Sequence, residues 1–434
     1  MSRLPRTRRP SRTLGLSLAA AGVAFSTGVG RAQLVSDEVP QERTIPPKEQ
    51  IDRDLQRSRL SLGPIRLIPS IALINAGYDS NAFGSAEDQV GDWTFTIRGG
   101  LRFILPLGRK MYFRADALPQ YTWYDKVSER RSFGGVANAS LFGFFNHMTL
   151  QLTGYGSKDF GLYSTEFLSR VRSRTVGGLG AAEIQLTGPI SLFGKGEVQR
   201  VRYDTVGQLP VFDVTINNRT DTEARGGIRY RVNPEWSVST AYEQTWSDFD
   251  RDPEARNNLS RAYLVGFQYN RPRFYVNLSG GYREGRPRDA STFLPYSTGT
   301  GSFFASFAVS RLLELQAYGR RVVTYSITTT DPYYFENQFG GGVNIQPLSR
   351  VQLRGYAQAG PLEYPDTVLV DGNPVKRRDQ RRLYGGGLSV TLSNQAILTG
   401  LVTRITTSSN VASSTVTSGT RYTVNVSLYG ELTR

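Results

Sequence analysis

The segment "WTFTIRGGLRFIL", residues Trp93 to Leu105, alternates apolar and polar side chains with a period of two residues. A β-strand places successive side chains on opposite faces, so one face of this segment is apolar and the other polar. The apolar face carries Trp93, Phe95, Ile97, Leu101, Phe103 and Leu105, and the polar face carries Thr94, Thr96, Arg98, Gly100 and Arg102. Such a strand suits a wall between lipid and a watery interior.

The same alternation recurs in residues 111–123, 274–279 and 351–358. Strands of soluble sandwiches are usually ~5–6 residues long. Several of the alternating segments run to about ten residues or more, which is the length that a tilted membrane-crossing strand needs. The pattern therefore favours an all-β, transmembrane, antiparallel β-barrel of the outer-membrane type over a soluble sandwich.

The connections between the predicted strands alternate between short turns and long polar loops. The short turns lie near residues 106–109, 145–147, 187–189, 233–235, 271–272, 311–312, 347–349 and 393–395. The long loops lie near residues 79–92, 125–131, 157–170, 204–221, 247–260, 284–297, 326–335, 361–380 and 407–420. Short periplasmic turns and long outer loops predict about 18 strands, or about 16 if the segments around residues 320–345 form one strand.

The N-terminal region divides into two predicted segments before the barrel at residues 65–434. Residues 1–32 have basic, apolar and small-residue regions in the order of a secretory signal peptide, with cleavage expected near Ala32-Gln33. Residues 33–64 predict a short periplasmic leader. A disordered leader is the favoured interpretation, and a plug or docking helix that starts at Pro47 is the alternative.

Composition argues against several other functions. The chain has 434 residues, no Cys, one His (His147) and a formal net charge of +15. Six Arg and no acidic residue lie in residues 1–32, so the mature chain has 15 − 6 = +9. This modest charge is scattered rather than gathered in a basic arm, so a nucleic-acid partner is not expected. A single turn-located His and no Cys predict neither an enzyme nor a metal or other cofactor.

The predicted inward face of the barrel is rich in arginine and tyrosine. The basic residues expected to line the lumen are Arg98, Arg102, Arg114, Arg225, Arg229, Arg231 and Arg354. Excess positive charge on a low-dielectric wall favours anions, although the same charges could instead pair across neighbouring strands. The cluster of Arg225, Arg229 and Arg231 is expected to be the harder one to neutralise, because only Glu223 shares its strand face.

Four tyrosines are also predicted to point inward, namely Tyr155, Tyr275, Tyr318 and Tyr356. Each side chain offers an apolar ring with a polar tip. These rings could stack on sugars that pass through the lumen. Alternatively, they could pack against the inner wall.

The stretch "INAGYDSNAF", residues 74–83, ends the first predicted barrel strand with small and polar residues. A calcium loop is excluded, because Phe83 and Val90 occupy positions that need oxygen ligands. An ordinary turn, in which Asp and Asn side chains bond to their own backbone, is a second interpretation. A family signature is the third, and it is carried by Gly77, Tyr78, Asp79, Ser80 and Asn81.

With the long alternating strands after it, this signature resembles the beta-barrel porin 2 family, the outer-membrane barrels of exopolysaccharide operons. The resemblance covers residues from about 65 to 434. It implies a role in the export or assembly of exopolysaccharide, with an acidic polysaccharide and a periplasmic polysaccharide-export protein as partners in addition to outer-membrane lipid. Two alternatives remain open: a general or anion-preferring diffusion porin, and a structural or adhesive barrel.

Overall fold

The computed structural model describes residues 46–58, 60–82, 89–162, 164–166, 170–204, 213–251, 256–288, 294–327, 331–370, 373–393, 396–411 and 419–431. The predicted signal peptide, its cleavage point and residues 33–45 of the predicted leader lie outside these ranges. No helix within the described ranges is long and apolar enough to cross a bilayer.

The chain forms one antiparallel sheet, preceded by an α-helix. The helix α1 spans Pro47–Arg57, and short 3-10 helices span Ser128–Arg130 and Val214–Asn217. The strands are β1 (Leu60–Leu62), β2 (Ile65–Asp79), β3 (Asp92–Pro106), β4 (Met111–Tyr124), β5 (Ser132–Phe144), β6 (Met148–Leu162), β7 (Arg170–Gln185), β8 (Ile190–Asp204), β9 (Arg219–Arg231), β10 (Trp236–Phe249), β11 (Asn258–Asn270), β12 (Phe274–Pro287), β13 (Tyr296–Ala308), β14 (Leu313–Tyr325), β15 (Tyr333–Leu348), β16 (Val351–Val370), β17 (Asn373–Ser393), β18 (Ala396–Ser409) and β19 (Gly419–Glu431).

The sheet closes on itself because β19 pairs with β2. Each strand from β2 to β19 also pairs with its neighbours in sequence. The sheet has 19 strands, of which β1 pairs only with the start of β2, so the wall of the barrel has 18. The predicted all-β antiparallel barrel of about 18 strands is confirmed. The 16-strand alternative is wrong, because β14 ends at Tyr325, β15 begins at Tyr333, and the two pair as separate antiparallel strands.

The outer surface of the barrel is a belt of exposed apolar side chains. On β3 the exposed fractions are 59% for Trp93, 47% for Ile97 and 46% for Leu101, all of them predicted to face outward. Val424, Val426 and Leu428 on the last strand face outward in the same way. So much exposed apolar surface is unfavourable in water and favourable against lipid tails, while the closed sheet satisfies the backbone hydrogen bonds of its wall.

The stretch at residues 74–83 combines a bulge with a turn. Asn75 has a φ of 53°, and the pairing of β2 with both neighbours shifts register beside it. At the end of the strand, the Asn81 N–H donates to Asp79 Oδ1 over 3.1 Å. This is a turn in which an Asp side chain bonds to nearby backbone, so the second interpretation of the stretch is correct in geometry.

The predicted loop at residues 361–380 is wrong. The strands β16 and β17 continue to Val370 and Asn373, which leaves only residues 371–372 between them. The many charged residues of the segment predict a loop. Its buried side chains nevertheless keep a period of two, with Leu362 and Tyr364 on one strand and Asp379 on the other. We call residues 361–382 the outer hairpin.

Three of the four predicted lumen tyrosines lie against glycines of the next strand. The register pairs Tyr155 with Gly177, Tyr318 with Gly340, and Tyr356 with Gly385. A Cβ added at Gly340 would lie 2.5 Å from the ring of Tyr318, and the other two glycines are covered in the same way. Tyr275 instead packs against Phe304. These rings pack on the inner wall and cover glycine backbone, as aromatic residues do in stable sheets.

A prediction follows for the wall. Gly340→Ala should destabilise the folded barrel by about 1–3 kcal/mol, because the new methyl group overlaps the buried Tyr318 ring. The matched control is Gly400→Ala on β18, where an added Cβ meets nothing within 4 Å. The midpoint of urea unfolding, followed by the heat-dependent shift of the band in electrophoresis, measures both variants. Equal midpoints for the two variants would contradict the prediction, because the Tyr318 ring would then not need a glycine beneath it.

Candidate functional site

A loop between β6 and β7 reaches across the lumen. We call residues 164–166, which lie between these two strands, the crossing loop; they are almost completely buried. The Glu166 carboxylate accepts hydrogen bonds from Ser326 Oγ at 3.0 Å and from the Tyr364 hydroxyl at 2.9 Å. Thr165 lies 3.0 Å from the Tyr334 hydroxyl. The partners belong to β15, β16 and the loop after β14, which lie about half of the wall away from β6, so the loop spans the lumen.

An arginine of the outer hairpin completes this contact. Arg377 lies 3.5 Å from Glu166 and 2.7 Å from Asp379, and its guanidinium stacks 4.0 Å from the Tyr364 ring centre. One cation thus faces two carboxylates in a site without water access. Burial raises the pKa of Glu166 to about 7, and the attraction of Arg377 and the hydrogen bonds from Tyr364 and Ser326 offset only part of that effect.

Two further loops meet the crossing loop at Ser326. The Asn217 side-chain amide and the Arg256 guanidinium both donate to the Ser326 carbonyl, over 3.1 and 3.0 Å. Asn217 follows the loop between β8 and β9, and Arg256 precedes β11. Val214 and Ile327 add an apolar contact beneath this network. The long-loop end of the barrel is therefore narrowed by four connections that hold one another.

The helix α1 lies inside the opposite end of the barrel. Ile51 is completely buried against Ile104 and Phe142, which point inward from β3 and β5, and Leu55 packs beside it. Pro47 begins the helix, as predicted. For residues 47–57 the structure thus agrees with the docking-helix alternative rather than the disordered leader, and the physical reason is an apolar patch on the inner wall that the helix covers.

A group of four charged side chains fixes the helix in place. Asp54 lies 3.0 Å from Arg102 and 3.6 Å from Arg114, and each arginine also contacts Asp116, at 2.6 and 2.9 Å. Two carboxylates and two guanidinium groups neutralise one another. Two of the predicted lumen arginines, Arg102 and Arg114, therefore hold the helix rather than face open solvent.

The middle of the wall carries the arginine cluster, and acids of neighbouring strands lie beside two of its three members. Arg229 forms an ion pair with Glu183 of β7, and Arg225 lies 3.8 Å from Glu243 of β10. Glu223, an acid on the same strand face, is engaged by Lys195 at 3.1 Å. The neutralising acids come from neighbouring strands, which an inspection of one strand cannot reveal. The Arg225 and Arg229 side chains nevertheless remain 32% and 33% exposed.

The other three predicted lumen arginines each have different neighbours. Arg98 donates to the Gln120 side chain over 2.9 and 2.6 Å, and Arg354 lies 5.9 Å from the Tyr356 ring centre. Arg231 is exposed at the short-turn end of β9. The strand alternation places all three on the inner face. The pattern did not identify Glu166 or Arg377, because nothing local distinguishes a loop residue that contacts the opposite wall.

The size of the barrel leaves space beside the helix. Eighteen strands spaced by ~4.8 Å and tilted by ~40° give roughly 35 Å between opposite backbones. An α-helix with its side chains is ~10–12 Å across. The helix α1 therefore narrows the lumen without filling it.

The chain resembles solved structures in fold, at low sequence identity. OccK2 (OpdF) of Pseudomonas aeruginosa matches with a TM-score of 0.52 and 12% identity, over 85% of this chain and 98% of that one. A BenF-like porin of Pseudomonas fluorescens Pf-5 matches with a TM-score of 0.51 and 8% identity, over 86% and 100%. No family model and no curated protein matches the sequence. These likenesses show that the chain has the fold of a large outer-membrane β-barrel, whereas the resemblance to the exopolysaccharide family has no such support.

The raised pKa of Glu166 predicts that the crossing loop responds to pH. Docking favours the protonated carboxyl, so its contribution to docking is complete below the ordinary pKa of 4.5 and is lost as pH rises to about 7. Single-channel conductance should therefore increase between pH 5 and pH 8. In Glu166→Gln, which keeps the shape without the charge, conductance should stay low across the same range. A parent protein with pH-independent conductance would contradict this prediction.

The helix α1 predicts a second change in conductance. Ile51→Asp places a charge in the apolar contact with Ile104 and Phe142, so the helix should leave the lumen and conductance should increase. Gln56→Asp adds the same charge at an exposed position of the same helix and should leave conductance unchanged. Bilayer recordings of both variants make the measurement. An unchanged Ile51→Asp channel in a well-folded barrel would contradict the docking.

Proposed function

We propose that this protein is an outer-membrane channel through which small hydrophilic solutes diffuse, with a preference for anions. The observation that carries the proposal is the row of partly exposed charged side chains on the inner face of β7 to β10, which includes Arg225 and Arg229. Charged groups about one third exposed need water beside them. A lumen lined in this way conducts small polar solutes.

The preference for anions rests on a difference in exposure between the bases and the acids of this row. The Arg225 and Arg229 side chains are 32% and 33% exposed, whereas the side chains of Glu243 and Glu197 are 10% and 3% exposed. Arg231 adds an exposed cation at the short-turn end of the same strand face. The electric fields of such side chains add along a lumen with low-dielectric walls.

A conduit for exopolysaccharide remains the second candidate, supported by the resemblance of residues 77–81 alone. A polymer would have to pass both the crossing loop and α1, and both would have to leave the lumen first. Small solutes need neither movement. A structural or adhesive barrel, the third candidate, requires no conductance at all. The proposal includes outer-membrane placement after removal of residues 1–32, to which the exposed apolar belt lends support.

The test is the ion selectivity and solute permeability of the reconstituted protein. Replacing Arg225, Arg229 and Arg231 by Gln leaves Glu183 and Glu243 without these partners, so the reversal potential in a salt gradient should move toward cation preference. Swelling of liposomes in glucuronate, a small acidic sugar, should slow more than swelling in glucose. Glucuronate is chosen because one solved structure of OccK2 is its complex with glucuronate.

The matched control is Arg271→Gln. Arg271 pairs with Glu235 in a short turn outside the lumen, at 2.6 Å. It should leave the reversal potential unchanged. A triple variant that folds like the parent and keeps the parental reversal potential would contradict the anion preference. A folded parent without conductance would contradict the channel itself.

A further inference from the structure

The outward face of β17 and β18 carries a cluster of basic residues just beyond the apolar belt. We call Lys376, Arg378, Arg382 and Arg404 the basic patch; all four side chains are exposed. Arg404 pairs in register with Tyr384, an outward tyrosine that is 47% exposed. Arg382 lies two residues farther along the same face. The patch therefore begins where an outward aromatic residue ends the apolar surface.

The height of the patch matches the upper boundary of a membrane. The exposed Leu392 marks the other end of the apolar surface on β17. From Leu392 to Tyr384 the strand rises roughly 20 Å along the membrane normal, because each residue adds about 3.4 Å along a strand tilted by about 40°. The apolar band of such barrels is ~25 Å tall. Arg382 and Arg404 thus lie at the level of lipid headgroups, on the side of the long loops.

The charge of Arg378 is only partly balanced by an acid. The structure places Glu363 of β16 beside it, and this carboxylate is shared between Arg321 at 3.1 Å and Arg378 at 3.9 Å. Two other basic residues at the long-loop end have closer acidic partners. Arg200 lies 3.0 Å from Asp250, and Arg288 pairs with Asp248.

The spacing of the patch suits phosphate groups. Arg382 and Arg404 are diagonal neighbours across the two strands, a separation of ~7–8 Å, so two guanidinium groups can hold one phosphate. Arg378 lies four residues beyond Arg382, roughly 13 Å along the strand. A second phosphate of the same headgroup can reach it.

We infer that the basic patch binds the phosphorylated disaccharide headgroup of a glycolipid in the outer leaflet, of the lipid A type. The inference rests on the proposed outer-membrane placement, which puts the long loops and the patch on the outer side. Arginine stems lie along the apolar belt while their guanidinium groups extend into the headgroup layer. The bound glycolipid anchors β17 and β18 beneath the outer hairpin.

The test uses the full protein in nanodiscs of uncharged phosphatidylcholine with added diphosphorylated lipid A, and native mass spectrometry counts the glycolipid retained. The parent should retain diphosphorylated lipid A at least about tenfold more than fully dephosphorylated lipid A. The variant Arg378→Gln, Arg382→Gln, Arg404→Gln should lose this difference. The control Arg271→Gln, Arg273→Gln removes two exposed arginines at the short-turn end of the barrel and should retain it.

Three outcomes would overturn the inference: equal retention of both lipids by the parent, unchanged retention by the triple variant, or equal loss in the control. Displacement of lipid A by millimolar inorganic phosphate would also overturn it in favour of a free-anion site. If the triple variant does not fold, Arg382→Gln alone should lower retention at least about threefold. The conductance of the same samples tests the channel function separately. Failure of the glycolipid site can therefore be distinguished from failure of the channel function.

Discussion

The pairing of β19 with β2 is the interaction on which the rest of the structure depends. In lipid, an unpaired strand edge would leave a row of backbone groups without hydrogen-bond partners, at a cost of several kcal/mol for each group. Closure removes both edges and fixes which face of every strand points inward. The bulge at Asn75 lies within this joint, so the first and last strands meet with a shift in register that the closure tolerates.

The closed wall creates a lumen whose polar side chains serve two purposes. Some are completely buried and hold inserted segments, as Asp54 holds α1 and Glu166 holds the crossing loop. Others, including Arg225 and Arg229, keep about a third of their surface exposed. Burial of a charge is costly unless it is paired, so the buried groups are pairs or larger sets. The exposed ones remain available to solutes.

The architecture could be predicted from sequence because strand alternation is a local signal. Trp93 and Leu101 reveal the lipid face without knowledge of any neighbour, and short turns separate one strand from the next. The outer hairpin is harder to predict, because its many charged residues indicate a loop although Leu362 and Tyr364 keep a period of two. Contacts such as that of Glu166 with Ser326 could not be predicted, because they join residues on opposite walls.

The most direct test of the account is a covalent link across the lumen. The chain has no Cys, so Glu166→Cys together with Ser326→Cys introduces the only two thiols. We expect a short, cleavable, thiol-specific cross-linker to join them in the folded, membrane-inserted barrel. Conductance should then become low and independent of pH. Cleavage of the linker should reverse both effects. Failure to cross-link, or a cross-linked channel with the conductance and pH response of the uncross-linked protein, would contradict a lumen narrowed by the crossing loop.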